Sequence, residues 1–371
     1  MKVILSGGGT GGHIYPALAL AKTILKNDPD SQILYVGANR GVETSIVPKA
    51  GIEFVGLDLQ GLSRSNPLSN FKTLAMLNNA IKKAKKLIDD FQPDVVVGTG
   101  GYASSAMLLA AQSKKVPTVI HEQNLTPGLT NTWLAKRATA VAVSFKATLK
   151  SFPQDKVHYT GNPRGQEILE DTRKAKYSDY GLKSSKKTIL IFGGSQGAYR
   201  LNQAFVNTAT RFQNLKGIQT ILVTGPKYFD SVKLQLDEEL KGDLSNIAIF
   251  PYIDDMAPLL KISDLLVARS GATTLAEITA IGIASILIPS PNVTANQQEV
   301  NARILEENNA AVVMTENEMT PEKFFHDIKA VIEDKDELKA IAENAKLSGQ
   351  PDASDQLYQL VKQIIINNKN A

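Results

Sequence analysis

His13 and Ser195 are the side chains set where reacting groups are commonly found. His13 closes a run of small residues, Gly7-Gly8-Gly9-Thr10-Gly11-Gly12, and Ser195 is the centre of a second, Gly193-Gly194-Ser195-Gln196-Gly197. Loops without side chains aim backbone N–H groups, and the positive end of a following helix, at whatever lies above them, and phosphate is the usual guest. A histidine at such a helix start is either a surface residue or, beside a phosphate site, a base placed to take a proton from a hydroxyl nucleophile. Ser195 also fits a Gly-x-Ser-x-Gly nucleophile elbow, but the one histidine after it is His326, in a charged helical stretch over residues 321–334. That is far from a strand end, so Ser195 and its neighbours read as ligands of a phosphate oxygen rather than as a hydrolase.

Three further sets carry polar groups at strand ends. His121-Glu122-Gln123-Asn124 follows an apolar run over residues 117–120. Ser270-Gly271-Ala272-Thr273-Thr274-Leu275-Ala276-Glu277 enters a helix, with Thr274 and Glu277 spaced as a capping box and Glu277 one turn in, where it would accept two hydrogen bonds from a ribose diol. Asn296-Gln297-Gln298 offers amides suited to sugar hydroxyls, or else an ordinary polar helix start.

The elements that must hold these groups alternate. Strands are expected at residues 3–6, 32–36, 54–57, 94–98, 117–120 and 157–160, then at 188–192, 219–224, 247–250, 265–268 and 285–288. Helical spacing lies between them, including 14–25 after the first glycine run and 199–212 after the second. Alternating strands and helices give parallel α/β sheets, in which ligands bind at the carboxyl ends of the strands. Residues 164–187 are charged and without strand pattern, which places a domain boundary there. A last helix, 352–366, follows Gly349-Gln350-Pro351 and is long enough to cross back to the first domain. Trp133, the single tryptophan, is expected to pack in its helix.

With 371 residues the chain is long enough for two domains. A mean hydropathy of −0.12, no apolar run of membrane-spanning length, and no signal-peptide pattern at Met1-Lys2 point to a cytoplasmic globular protein. There is no cysteine, hence no disulfide and no thiolate chemistry. The net charge of +4 is mild, which argues against nucleic acid. The basic charge concentrates in Lys82-Lys83 and Lys85-Lys86 on a helix expected over 68–90, either a solvated face or a face drawn to anionic lipid.

Gly7-x-Gly9-x-x-Gly12 fits a dinucleotide fingerprint, yet the second strand ends Tyr35-Val36-Gly37 with no acid to hold a ribose. Neither loop has the Gly-Lys-Ser/Thr of a nucleotide-hydrolysing loop, and no His-x-His or His-x-x-x-His pair suggests a metal. Asp28-Pro29-Asp30, with the spacing of a metal-bound sugar-nucleotide motif, falls in a helix-to-strand loop and reads as a turn.

The motifs Gly8-Gly9-Thr10-Gly11-Gly12-His13, Gly100-Gly101-Tyr102, His121-Glu122-Gln123-Asn124, Gly161-Asn162-Pro163, Gly193-Gly194-Ser195-Gln196-Gly197-Ala198, Ile253-Asp254-Asp255-Met256, Arg269-Ser270-Gly271-Ala272 through Glu277, and Gln297-Gln298 occur in this order. Together they resemble the UDP-N-acetylglucosamine:undecaprenyl-diphospho-muramoylpentapeptide N-acetylglucosaminyltransferases of bacterial cell-wall synthesis. The resemblance implies an α/β fold of two Rossmann-like domains facing a cleft, the glycosyltransferase type B fold. Residues 1–162 would bind the acceptor, 163–351 the UDP-sugar, and 352–371 would return to the first domain. It implies an inverting transfer to the acceptor's 4-hydroxyl, no cofactor or metal, and a peripheral place on the cytoplasmic side of the cell membrane.

By the same resemblance His13 is the candidate base. Thr10, Gly11, Gly12, Tyr102 and Asn124 would close on the donor sugar or the acceptor diphosphate. Arg164, Ser195, Gln196, Gly197, Ala272 and Thr273 would meet donor phosphates, Ile253 the uracil, Glu277 the ribose, and Gln297 and Gln298 the sugar. The chain departs from the family where Arg164 follows Pro163 directly, at Ser105-Ala106, and at Ala295, where an aspartate is usual. A UDP-N-acetylglucosamine 2-epimerase of the same fold and a non-enzymatic nucleotide-sugar-binding regulator are the alternatives.

Overall fold

The computed structural model describes residues 1–60 and 69–370, and of residues 69–72 and 294 the backbone alone. It divides into two compact units, one of Met1–Glu167 with Asp352–Ala371, the other of Ile168–Pro351.

The first unit runs β1 (Lys2–Gly7), α1 (Gly11–Asn27), β2 (Gln32–Ala38), α2 (Glu43–Lys49), β3 (Glu53–Leu57), α3 (Ser69–Phe91), β4 (Val95–Gly100), α4 (Tyr102–Ser113), β5 (Thr118–Glu122), α5 (Leu129–Ala135), β6 (Ala140–Val143), β7 (Val157–Tyr159) and α6 (Pro163–Glu170). Its seven strands stand in the order β3-β2-β1-β4-β5-β6-β7, and every pairing is parallel. A parallel sheet covered on both faces demands apolar residues at successive positions, and Val95, Val96 and Val97 are all fully buried.

The second unit runs β8 (Lys187–Phe192), α7 (Tyr199–Val206), α8 (Ala209–Gln213), β9 (Ile218–Val223), α9 (Phe229–Glu239), β10 (Ile247–Phe250), α10 (Met256–Ile262), β11 (Leu265–Ala268), α11 (Ala272–Ile281), β12 (Ala284–Leu287), α12 (Gln297–Glu307), β13 (Val312–Val313), α13 (Pro321–Glu333) and α14 (Lys335–Leu347). Its order is β10-β9-β8-β11-β12-β13, again all parallel. In both sheets the first strand is central and the order reverses beside it, between β1 and β4 and between β8 and β11. Ligands of doubly wound sheets sit outside the carboxyl ends of the strands at that switch. Both glycine runs emerge there.

The final helix, α15 (Ala353–Lys369), lies in the first unit, where Leu357, Tyr358, Val361, Ile364 and Ile365 are buried with Ile14, Ala17, Leu20 and Ile24 of α1. Burying five such side chains is worth about 1.5–3 kcal/mol each, which makes the helix integral to that unit.

Several elements differ from the sequence reading. The division falls after Glu167, inside α6, rather than before Pro163, so Arg164 belongs with the first unit. The helix expected over 199–212 breaks at Asn207-Thr208, where the Thr208 hydroxyl donates back to the carbonyls of Ala204 and Phe205. β6 and the two-residue β13 had no expected counterpart; β6 is an Ala-Val-Ala-Val run too short and small to stand out. Gly271, not Thr274, caps α11, so Thr274 lies inside the helix and no capping box forms. Trp133 is 55% exposed, as is its α5 neighbour Leu129 at 87%, so the tryptophan does not pack in the core. The basic helix is described from Ser69; residue 68, where it was expected to begin, is among residues 61–68 that lie outside the described residues. Asp28 does end α1, and its carboxylate accepts from the Met1 amino group at 3.0 Å.

Candidate active site

In the first unit the chain leaves β1 at Gly7 and re-enters regular structure at Gly11, with Thr10 as the extended cap of α1. Not all of that run is an open cradle. The Gly8 N–H donates to the Gly100 carbonyl at 3.2 Å, and the Gly9 N–H to Glu43 Oε2 at 3.1 Å. Two amides therefore serve the fold, and the first-turn donors that no helical carbonyl can reach are those of Thr10, Gly11 and Gly12. The carbonyl of Gly7 accepts from the Tyr35 hydroxyl at 3.1 Å, and burial beside the Glu43 charge drives that phenol far above its ordinary pKa, keeping it a donor.

His13 sits in the first turn of α1. Its Nδ1 lies 2.9 Å from the Gly8 carbonyl oxygen. A carbonyl only accepts, so Nδ1 carries the hydrogen and the neutral ring has its lone pair on Nε2. That is the tautomer a general base needs. The ring rests against Gly100, where a methyl group would fall 2.7 Å from Cδ2 and 2.8 Å from Nε2. The Thr99 hydroxyl donates to the His13 carbonyl at 2.6 Å, tying the helix start to the end of β4. Tyr102 follows at the first position of α4 and is 51% exposed.

The polar tetrapeptide after β5 divides into support and surface. His121 is fully buried, its Nε2 donating to the Gly161 carbonyl at 3.0 Å while Nδ1 faces Gln123 Nε2 at 2.9 Å. Burial pushes its pKa below the ordinary value, against the opposing pull of the Gly161 carbonyl and the Glu122 charge. Glu122, also buried, accepts from the amides of Asn124 and Gly128 at 3.0 Å each and from Asn131 Nδ2 at 2.8 Å. It thereby shapes the loop that presents Asn124, a half-buried residue. Arg164, on α6, lies over the Tyr15 ring at 5.2 Å and pairs with Glu167 at 2.8 Å.

In the second unit Gly194 and Gly197 take φ of +86° and +74°, and the Gly197 N–H donates to the Gly194 carbonyl at 2.9 Å. This turn leaves Ser195 and Gln196 exposed at the end of β8. It also leans on the loop after β9, for a methyl group at Gly197 would fall 2.0 Å from the Thr224 carbonyl oxygen. Gly271 opens α11 with nothing within 4 Å of the position a side chain would take. Ala272 and Thr273 form the first turn, and the Thr273 Oγ1 is buried with no hydrogen-bond partner. Glu277 follows, 8% exposed.

Gln298 Oε1 accepts from the Ser290 N–H at 2.8 Å, and its carbonyl accepts from the Ser270 hydroxyl at 2.7 Å, so the start of α12 is fastened to the start of α11. Gln297 opens α12 after Ala295 and Asn296, both left-handed at φ +54° and +51°. Ile253 is half-buried in the loop after β10.

Three residues that support these loops had no signal in the sequence reading: Glu43, Thr99 and Glu316, the last as the partner of the motif residue Arg269. Arg269, half-buried, forms an ion pair with the buried Glu316 and also donates to the Ile288 and Pro289 carbonyls at 3.0 and 3.1 Å. Arg269 and Glu316 lie 47 positions apart, a spacing no local pattern reveals.

Residues 3–143 match the glycosyltransferase family 28 N-terminal domain and residues 188–357 the C-terminal domain of that family. The UDP-N-acetylglucosamine--N-acetylmuramyl-(pentapeptide) pyrophosphoryl-undecaprenol N-acetylglucosamine transferase of Oenococcus oeni is 53% identical, over 100% of this chain and 99% of its own. The Leuconostoc citreum protein of the same name is 46% identical over 100% of both chains. Among solved structures, Acinetobacter baumannii MurG superposes with a TM-score of 0.74 at 28% identity, covering 98% of this chain and 99% of its own. A UDP-GlcNAc 2-epimerase from Neisseria meningitidis reaches 0.69 at 15% identity, over 98% and 100%, a likeness of fold alone. The two domain matches and the end-to-end identity show that the chain belongs to glycosyltransferase family 28.

Proposed function

We propose that this protein transfers N-acetylglucosamine from UDP-N-acetylglucosamine to the 4-hydroxyl of the muramoyl sugar in undecaprenyl-diphospho-muramoylpentapeptide, a step of peptidoglycan synthesis. The observation that carries this reading is the likeness, end to end, to transferases of that name in Oenococcus oeni and Leuconostoc citreum.

The residue roles are those the family resemblance implies, and the local geometry is compatible with them. The acceptor hydroxyl attacks the anomeric carbon from the face opposite UDP, and its proton passes to His13 Nε2, the lone-pair nitrogen of the tautomer that Gly8 selects. The bond from the anomeric carbon to the β-phosphate oxygen breaks, and UDP leaves with the electron pair. Its growing charge is met by the amides around Ser195, Gln196 and Gly197, by the α11 start at Ala272, and by the Thr273 hydroxyl, whose buried oxygen is otherwise unpartnered. Glu277 holds the ribose, Ile253 the uracil, and Gln297 and Gln298 the sugar. Thr10, Gly11, Gly12, Tyr102, Asn124 and Arg164 serve the acceptor diphosphate and the sugar being moved. Among the described residues no group of three His, Cys, Asp or Glu could hold a metal ion, and the donors named here are given that neutralising work.

The lipid acceptor requires a membrane surface. No helix among the described residues is long and apolar enough to cross one. We assign peripheral docking on the cytoplasmic face to α3, whose Lys82, Lys83 and Lys86 are exposed, with the exposed Leu129 and Trp133 of α5 as apolar anchors one turn apart.

Incubation with labelled UDP-N-acetylglucosamine, with and without the lipid acceptor and in a chelator, tests the reading. Labelled disaccharide lipid forming only with acceptor is expected. An epimerised donor, or binding without turnover, would replace the transferase by the epimerase or the regulator.

A further inference from the structure

The peptide that joins Gly8 to Gly9 is held from both sides. Its carbonyl accepts from His13 Nδ1 at 2.9 Å, and its N–H donates to Glu43 Oε2 at 3.1 Å. In a trans peptide these two groups point in opposite directions. Carboxylate, amide and imidazole therefore form one connected row. The second carboxylate oxygen, Oε1, accepts from the Ala38 N–H at 2.9 Å, so both oxygens are engaged by backbone donors. Glu43 is 0% exposed. Side chains at Gly8, Gly37 and Gly41 would fall 2.1, 2.7 and 2.0 Å from it, so three glycines make its room.

Among the described residues Glu43 has no ion pair, so burying its carboxylate is costly and the backbone N–H bonds must offset that cost; one of those bonds fixes the orientation of the Gly8–Gly9 peptide. The orientation decides the chemistry of His13. With the carbonyl toward Nδ1, the ring must carry its hydrogen there and its lone pair on Nε2. Were the peptide turned over, an N–H would face Nδ1, which would have to accept. The hydrogen would then move to Nε2, and the base would lose the atom that takes the proton. Gly9, at φ +84° with glycine on its N-terminal side, offers little steric resistance to that rotation.

We propose that Glu43 is a positioning residue for His13: it pins the Gly8–Gly9 peptide with its carbonyl toward the ring and so keeps the imidazole in the Nδ1–H form, with Nε2 open to the acceptor hydroxyl. Glu43 does not itself reach substrate.

The catalytic part of this inference rests on His13 being the base; the tautomer does not, and it is read without turnover. The chain has four histidines, so imidazole-15N-labelled protein gives a countable spectrum, assigned with His13→Gln and recorded at alkaline pH where imidazoles are neutral. In the unaltered protein His13 is expected wholly as Nδ1–H. Glu43→Gln has one acceptor oxygen for two N–H donors and is expected to bring in the Nε2–H form. In the transfer assay its kcat should fall about tenfold with the donor KM within about twofold. Glu43→Asp, with both oxygens on a shorter stem, should lie between. An Nε2–H ring in the unaltered protein overturns the proposal whether or not any variant folds. So does a folded Glu43→Gln protein whose His13 stays wholly Nδ1–H. A tautomer change with undiminished kcat would leave the positioning in place and remove His13 from the base role.

Discussion

Replacing Gly197 with alanine strikes the second glycine loop where it leans on its neighbour. The new methyl group would stand 2.0 Å from the Thr224 carbonyl oxygen, on a residue held at φ +74°. Gly194 supplies the control, because its φ is +86° but nothing lies within 4 Å of the added carbon. Both substitutions carry the left-handed backbone cost of about 1–2 kcal/mol. Gly197→Ala alone adds a collision with backbone that cannot rotate away, and overpacking of that kind typically costs about 1–3 kcal/mol. Gly194→Ala should thus lower the unfolding free energy by about 1–2 kcal/mol and Gly197→Ala by about 2–5 kcal/mol. The displaced segment frames the proposed diphosphate site. Since 1.4 kcal/mol is tenfold in Kd, UDP should bind Gly197→Ala about tenfold more weakly or worse. Urea unfolding and calorimetric UDP titration read both quantities. Equal stabilities for the two variants, or unchanged UDP affinity in Gly197→Ala, would refute the idea that this interlock shapes the loop.

His13→Ala should reduce kcat by about 10²-fold or more while UDP titrates with unchanged affinity, because the ring lies in the first unit and the proposed UDP contacts in the second; normal turnover would remove the ring from the chemistry. His121 gives a stability effect of known sign. Burial lowers its folded-state pKa, so as pH falls through the ordinary value of 6.5 the unfolded chain gains a proton that the folded chain resists. Urea midpoints should therefore fall between about pH 7 and pH 5, with this residue contributing up to about 1.4 kcal/mol per pH unit, and His121→Gln should flatten that slope. Sedimentation with anionic lipid vesicles should show weaker binding when Lys82, Lys83 and Lys86 are changed to glutamine, and weaker again with Trp133→Ser; equal binding by all would move the docking face elsewhere.

The strands beside the site were readable because a doubly covered parallel sheet leaves a plain trace, as in Val95-Val96-Val97. The glycine runs were readable because loops that meet other backbone exclude side chains locally, within a few positions. Glu43, Thr99 and Glu316 were not, for a simple reason. Their partners are main-chain atoms or residues distant along the chain, and neither sequence spacing nor composition marks such pairings. His121 and Gln123 show the converse, conspicuous polar residues at a strand end whose bonds turn inward to Gly161 and Thr99. Trp133 was misjudged because helical spacing in a seven-residue helix cannot tell which face is covered.

Asp94 ties β1 to α15. One of its carboxylate oxygens accepts from the Lys2 amide at 2.8 Å, and the other lies 3.0 Å from the Lys369 ammonium. During synthesis the unit begun first is consequently the one completed last, since the apolar face of α1 stays uncovered until α15 leaves the ribosome. A chain stopped before α15 would hold an intact second unit and an unfinished first one, a ready target for chaperones and proteases.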